Sequence, residues 1–337
     1  MHGRSAVVAI AALSVLTVFA VTGGPAGAVP LFGSPVVVSG LNDSEPGIDV
    51  ATDGTIYVNA IPGLTVPGPS PSHLWRSANG GASWTLTSSG LRGNFPGGGD
   101  FDIDVDKTTG ALYGTDLWLG SATVSVSTNK GDSWTANPYS TAIQDRQWIA
   151  TAGGGRAYHV TNQIPSGITV AASVDGGITY PTQTVAMTVT DRTGCICPPG
   201  TLIAESGGLL GDKVGVIAYT STGGVVFARS TNGSLTFTVR SVQGQTSADT
   251  GSAFPVVANA GGNKLAAVWL EVIGSTSRIR LSTSTDWGNT WAAAKTIVSA
   301  GTSVYPWVAA KGNKIAVSLF HTAAVGNPDN VPAPAQW

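Results

Sequence analysis

Three acids and three arginines stand where they could act together. Glu45, Asp100 and Asp145 each lie three residues ahead of a short apolar run: Ile48-Asp-Val50, Ile103-Asp-Val105 and Trp148-Ile-Ala150. Carried onward, the same register falls on Pro198, Phe254 and Tyr305. Arg92, Arg146 and Arg192 occupy the segments that lead into the second, third and fourth of these runs. A carboxylate can accept a proton or a hydroxyl hydrogen bond, and a carboxyl with a raised pKa can donate one. A guanidinium grips a carboxylate through two parallel N–H bonds, although Arg146 and Arg192 are as readily expected to pair with their neighbours Asp145 and Asp191. Aromatic rings add flat apolar faces. Acids on one side and rings on the other suit a sugar, which has hydroxyls at its rim and C–H groups on its faces. Asp116, Trp118, Glu271 and His321 close the runs that follow and extend the set. His159 lies inside an alternating run and reads as a packed core histidine.

Asp100, Asp102, Asp104 and Asp106 alternate with Phe101, Ile103 and Val105. In a strand such acids share one face. Calcium is the metal that several carboxylate oxygens would suit; a row running along a strand cannot bring all four acids to one point, so no cofactor is expected, with calcium on part of the row as the open alternative. The two cysteines, Cys195 and Cys197, point to a disulfide locking a tight turn or to two unreacted thiols. Zinc needs more ligands than two thiolates, and no histidine lies near them in sequence.

The elements that must position these groups announce themselves by repetition. Five octets share the pattern Ser-x-Asp/Asn-x-Gly-x-Ser/Thr-aromatic, beginning at Ser77, Ser127, Ser173, Ser230 and Ser284; the fourth has Ser234 in place of the glycine. The third residue can accept hydrogen bonds from amides two residues on. The glycine tolerates positive φ, the hydroxyls tie the loop ends, and the aromatic opens the next strand. Each octet therefore reads as a turn between two antiparallel strands. Short β-type runs separated by Gly and Asn surround every octet, as in four-stranded blades. A sixth set begins at Pro306-Trp-Val308 and Lys314-Ile-Ala-Val317 but has no octet. Pro35-Val-Val-Val38 is a candidate for the strand that would complete it. Trp84, Trp134 and Trp291, which end three octets, are expected to be buried between blades.

Composition agrees with a turn-rich β protein. Of 337 residues, 45 are glycine and only 11% are charged, with a net charge of −2, so no basic stripe is available for nucleic acid. His2 and Arg4, the apolar run Ala6–Val21, the break at Gly23-Gly24-Pro25 and the small residues Ala26-Gly27-Ala28 form the pattern of a secretion signal. The expected division is a signal peptide over 1–28 and a propeller domain over 29–337. The mature chain would begin near Val29, be secreted, have no membrane span and be a monomer.

The octets resemble the Asp-box (BNR) repeats of sialidases and their relatives, across nearly the whole chain after residue 28. The resemblance implies an all-β fold: a six-bladed β-propeller of four-stranded antiparallel blades, the last incomplete in this chain. It implies that the loops entering each first strand form one mouth, with the octets on the opposite face. It also implies glycoside hydrolysis of the exo-α-sialidase kind on terminal sugars, with carbohydrate or glycoprotein as partner. In that reading Asp100 or Asp145 is the acid/base, Tyr305 is a nucleophile paired with Glu271, and Arg92, Arg146 and Arg192 clamp the substrate carboxylate. Glu45, Asp116, Trp118, Phe254 and His321 complete the substrate contacts. Sialidases also carry an Arg-Ile-Pro near the first blade, where this sequence has Glu45-Pro46. That departure favours the alternative, a propeller that binds glycan or protein without turnover.

Overall fold

The computed structural model describes residues 33–62, 72–89, 99–118, 120–139, 144–208, 210–246 and 254–331. The proposed signal segment and Arg92 lie outside these residues. The first sheet contains β1 (Asp43–Val50), β2 (Ile56–Pro62), β3 (His73–Ser77) and β4 (Thr85–Ser89). The second contains β5 (Phe101–Val105), β6 (Leu112–Trp118), β7 (Ser121–Ser127) and β8 (Thr135–Tyr139). The third contains β9 (Gln144–Gly153), β10 (Arg156–Gln163), β11 (Gly167–Ser173) and β12 (Thr182–Met187). The fourth contains β13 (Pro199–Glu205), β14 (Lys213–Tyr219), β15 (Val225–Ser230) and β16 (Thr238–Gln243). The fifth contains β17 (Val256–Gly261), β18 (Lys264–Ile273), β19 (Thr276–Ser284) and β20 (Lys295–Val298). A two-stranded sheet of β21 (Thr302–Lys311) and β22 (Lys314–Thr322) follows. Every sheet is an antiparallel meander in sequence order. This is a β-propeller with five complete blades and a partial sixth.

The six first strands surround a channel of about 170 Å³, to which each contributes residues such as Ile48, Asp102, Trp148, Leu202, Val256 and Trp307. Apolar clusters fill the space between each consecutive pair of sheets. Tyr57 and Leu74 of the first meet Phe101 and Leu112 of the second, while Val214 and Ala228 of the fourth meet Tyr158 and Val170 of the third. Both faces of a middle blade are covered, so its strands are apolar on both sides. Ile48 and Val50 of β1 are exposed, because their face of the first sheet turns away from the second. Residues 35–38 form no strand, and Val36 and Val37 are exposed; the expected closing strand is not made.

The octets behave alike. In each, the Oγ of the first serine accepts the amide of the fifth residue, and the third residue accepts the amide of the seventh, all at 2.8–3.1 Å. The carboxyl or amide group thus reaches four residues on rather than two. The fourth and fifth residues both have positive φ, as at Gly80 and Gly81 or Trp287 and Gly288, which a hairpin turn matched to strand twist requires. The fifth position also seats on the preceding blade. A Cβ at Gly131 would lie 2.9 Å from Leu74, and one at Gly177 would lie 2.8 Å from Tyr113. Trp84, Trp134 and Trp291 are half-buried rather than enclosed. Trp134 packs on the cluster between the first two blades, and Trp291 meets Phe227 edge-on at 5.5 Å. Among the octet residues the fully buried indole is Trp287, inside the fifth octet, whose N–H donates to the Ser230 carbonyl of the fourth blade.

Candidate functional site

The edge of each first strand faces the channel, and side chains of the preceding blade satisfy its free amides. Asp49 Oδ2 accepts Val105 N at 2.7 Å, Asp102 Oδ2 accepts Ile149 N at 2.9 Å, and Asp104 Oδ2 accepts Thr151 N at 2.7 Å. Thr201 Oγ1 accepts Val257 N at 2.8 Å in the same manner. An unpaired buried amide is costly, and this explains two acids of the aspartate row, Asp102 and Asp104, together with Asp49 of the first blade. Asp106 is buried and holds the turn after β5, accepting the Thr108, Thr109 and Gly155 amides. No group of three or more acids, histidines or cysteines among the described residues is arranged to hold a metal. Burial pushes the Asp102 carboxyl up to about 7 and that of Asp104 up to about 8, with Asp49 adding repulsion to both.

One step above this level the first strands share a device that the sequence does not advertise. Glu45, Arg146 and Tyr305 have φ of 51°, 50° and 49°. Each sits at a break in strand register: between Ser44 and Gly47, between Asp145 and Gln147, and between Val304 and Trp307. The corresponding break in β13 falls between Pro199 and Leu202 and contains Gly200. A left-handed non-glycine residue costs about 1 kcal/mol, and such strain clusters where side chains must be re-aimed. The mouth position around the ring is therefore Glu45, Asp100, Arg146, Gly200, Phe254 and Tyr305. Sequence register placed Asp145 and Pro198 there; the bulges displace it by one residue in the third blade and by two in the fourth.

Arg146 spans this mouth. Its Nη1 donates to Glu45 Oε2 at 2.7 Å and to Asp100 Oδ1 at 2.9 Å. Its guanidinium lies 4.2 Å from the Phe254 ring centroid and 5.5 Å from that of Trp148, within cation–π range. Gly200 is the one mouth position filled by glycine. It leaves the mouth position of the fourth blade without a side chain, and a Cβ there would overlap the Pro255 carbonyl. Burial is the largest influence on Asp100 and pushes its carboxyl up; Arg146 opposes this, while Glu45 and Asp145 reinforce it. Aromatic rings continue the wall. Trp148 and Trp307 lie 5.9 Å apart, Trp148 meets Phe254 at 6.5 Å, and Tyr305 meets Phe320 at 6.5 Å. Tyr305, Phe320 and Trp307 are 61%, 60% and 44% exposed.

Several residues of the predicted site stand elsewhere. Asp145 is exposed beside Arg146 on β9, pairs across the strands with Asn162, and acts on Asp100 only through its charge. Glu271 is fully buried, bonded to Arg278 Nε at 2.6 Å and to Gln243 Nε2. Its face of β18, shared with Leu265, Ala267 and Trp269, packs against the fourth blade. Tyr305 belongs to the sixth, so the fifth sheet separates the two. Arg192 is fully buried beneath the loop closed by the Cys195–Cys197 disulfide. Its Nη1 donates to the Cys197 carbonyl and its Nε to the Thr188 carbonyl at 3.5 Å. It therefore joins neither Arg146 in a clamp nor Asp191 in a pair, and Arg146 likewise pairs with Glu45 and Asp100 rather than Asp145. Asp116 is buried and accepts the Ser72 hydroxyl at 3.1 Å. His321 is exposed, with Nδ1 2.9 Å from Ser303 Oγ. The side chain of Trp118, like Arg92, lies outside the described residues. His159 is the expected core histidine: buried, 2.7 Å from Thr115 Oγ1, and pushed down to about 3 by burial.

Trp148 and Trp307 belong to the mouth but were read from sequence only as strand residues, and the sequence reading singled out neither Phe320 nor Gly200. The Trp307 signal was present, since Tyr305-Pro306-Trp307 repeats the spacing of Arg146-Gln147-Trp148.

No family model matches the sequence, and no curated protein matches it. Solved structures do match by fold. A lectin from Burkholderia pseudomallei aligns with TM-score 0.58 at 13% identity over 88% of this chain and 86% of its own. An α-L-arabinofuranosidase from Fusarium graminearum, in complex with an iminosugar inhibitor, aligns with TM-score 0.53 at 12% identity over 83% and 93%. A Hadza microbial sialidase aligns with TM-score 0.50 at 13% identity over 82% of this chain and 65% of its own. The chain thus shares its propeller fold with proteins named as a lectin, an arabinofuranosidase and a sialidase.

Proposed function

We propose that this propeller is exported and binds carbohydrate at the mouth crossed by Arg146. The observation that carries the reading is the convergence of Glu45, Asp100 and Arg146 beside exposed Tyr305, Trp307 and Phe320. Polar groups fixed by one another, next to open ring faces, match both sides of a pyranose or furanose ring. The Cys195–Cys197 disulfide supports an oxidising, extracellular location after loss of residues 1–28. No helix among the described residues is long and apolar enough to cross a membrane. The named activities of the lectin, arabinofuranosidase and sialidase share a carbohydrate ligand, which supports the same reading. A glycan array on the mature protein tests it: binding should appear and should weaken at least tenfold in Arg146→Ala.

A second reading, glycoside hydrolysis, rests on Asp100. Its carboxyl is raised by burial beside a second carboxylate, Glu45. One could hold a proton for the leaving oxygen while the other assists attack. Fluorogenic glycosides decide between the two readings, since turnover that disappears in Asp100→Asn would make the site catalytic.

A further inference from the structure

We propose, resting on the mouth as a sugar site, that it selects uncharged and amino-bearing sugars and excludes sugars that carry a carboxylate. The geometry of Arg146 carries this. A guanidinium recognises an anionic sugar best when its charge is not already matched by resident acids. Here Nη1 is held by both Glu45 and Asp100, so one positive charge stands between two negative ones. Among the described residues no other cation touches either acid. Arg278 and Arg280 face Glu271 at 2.6 and 3.6 Å, Lys107 pairs with Asp49, and Arg192 is spent on carbonyls. Below the mouth the residues lining the channel include no cation.

The unspent polar groups discriminate by type. Arg146 Nη2 donates to no described residue, while Glu45 and Asp100 can only accept once ionised. A sugar hydroxyl both accepts and donates, so it can bridge Nη2 and a carboxylate at once. An ammonium can replace it on the carboxylate side. A ligand carboxylate can only accept, would compete with two resident acids for one guanidinium, and would meet them as like charges. The open faces of Tyr305 and Trp307 are indifferent to charge and serve the sugar ring in every case.

The test is a glycan array and titration calorimetry on the mature protein, using pairs that differ only by an acid group. Suitable pairs are 3′-sialyllactose with its carboxyl methyl ester, and one chain ending in glucose or in glucuronate; chitosan trimer is the amino-bearing probe. In wild type, the acid-bearing member of each pair that binds should be at least tenfold weaker. The E45Q/D100N protein should lose most of that discrimination; E45Q, altered at a half-exposed side chain, is the milder companion. Equal or tighter binding of acid-bearing glycans by wild type would overturn the selectivity and leave the sugar site standing. A folded E45Q that excludes them as strongly as wild type would overturn the role given to these carboxylates. Silence of wild type on every glycan would defeat the sugar site itself, and this selectivity with it.

Discussion

Replacing Ser234 with glycine should stabilise the protein, whereas replacing Gly288 with alanine should destabilise it, although both residues occupy the fifth position of an octet. Ser234 has φ of 66°, is fully buried, and its Oγ has no hydrogen-bond partner among the described residues. Glycine would relieve about 1 kcal/mol of left-handed strain and remove a buried unpaired hydroxyl worth about 1 kcal/mol or more. Against this stand about 0.5–1 kcal/mol of added unfolded-state freedom and a void that costs less than about 1 kcal/mol. The balance is about 1 kcal/mol of stabilisation, or roughly 1.5 °C in a chain of this size. Gly288 has φ of 72°, and a Cβ there would overlap the fully buried ring of Phe227. Strain of about 1 kcal/mol plus overpacking of about 1–3 kcal/mol gives a loss of about 2–4 kcal/mol. Gly80→Ala is the control: φ is 68° but no atom lies within 4 Å of the new Cβ, so only about 1 kcal/mol should be lost. Urea unfolding and thermal melts of the three variants measure the differences. If Ser234→Gly destabilised the protein, or Gly288→Ala cost no more than Gly80→Ala, the assignment of this position to both a left-handed turn and an inter-blade seat would be wrong.

Trp291→Ala should cost about 3 kcal/mol, because the indole meets Phe227 edge-on and donates to the Gly288 carbonyl; a change below about 1 kcal/mol would argue against packing between blades four and five. Asp102 and Asp104 hold their protons to higher pH in the folded protein than the ordinary carboxylate range. Their contribution to stability is therefore present at acid pH and lost as pH rises towards about 8. Asp104→Asn should flatten that decline, and an unchanged pH–stability curve would contradict it. Arg146→Gly should be more stable than Arg146→Ala by about 1 kcal/mol, the reverse of the usual order in a strand, because φ there is 50°. Sequencing of secreted protein should find an N-terminus near Val29, and retention of Met1 would refute processing at that site.

The blades were legible because the octet needs residue types that few other turns need in that order, and five copies fix the phase of the strands between them. The site was legible only in part. Glu45, Asp100, Phe254 and Tyr305 kept the register read from their apolar runs, but Arg146 and not Asp145 faces the channel. A left-handed bulge at an arginine leaves no mark in the sequence, and each one shifts the count. The separation of Glu271 from Tyr305 was hidden for another reason. β18 is apolar on both faces, so alternation cannot tell which neighbour a side chain meets. Arg192 looked like a surface clamp because its loop is polar. Only the fold shows that the short disulfide loop closes over it.

The seating of each octet on the blade before it has a consequence for how the molecule comes apart. Gly131 rests on Leu74, Gly177 on Tyr113 and Gly288 on Phe227, so support passes from neighbour to neighbour, as in a stacked array. The β21–β22 pair has no octet and no outer strands among the described residues, which makes it the place where fraying costs least. Amide exchange should therefore be fastest there and slow progressively towards the third and fourth blades. Tyr305 and Trp307 ride on that end, while Arg146 sits in the middle. A ligand touching both would act as mortar, and part of its binding energy would appear as slowed exchange along β21 and β22.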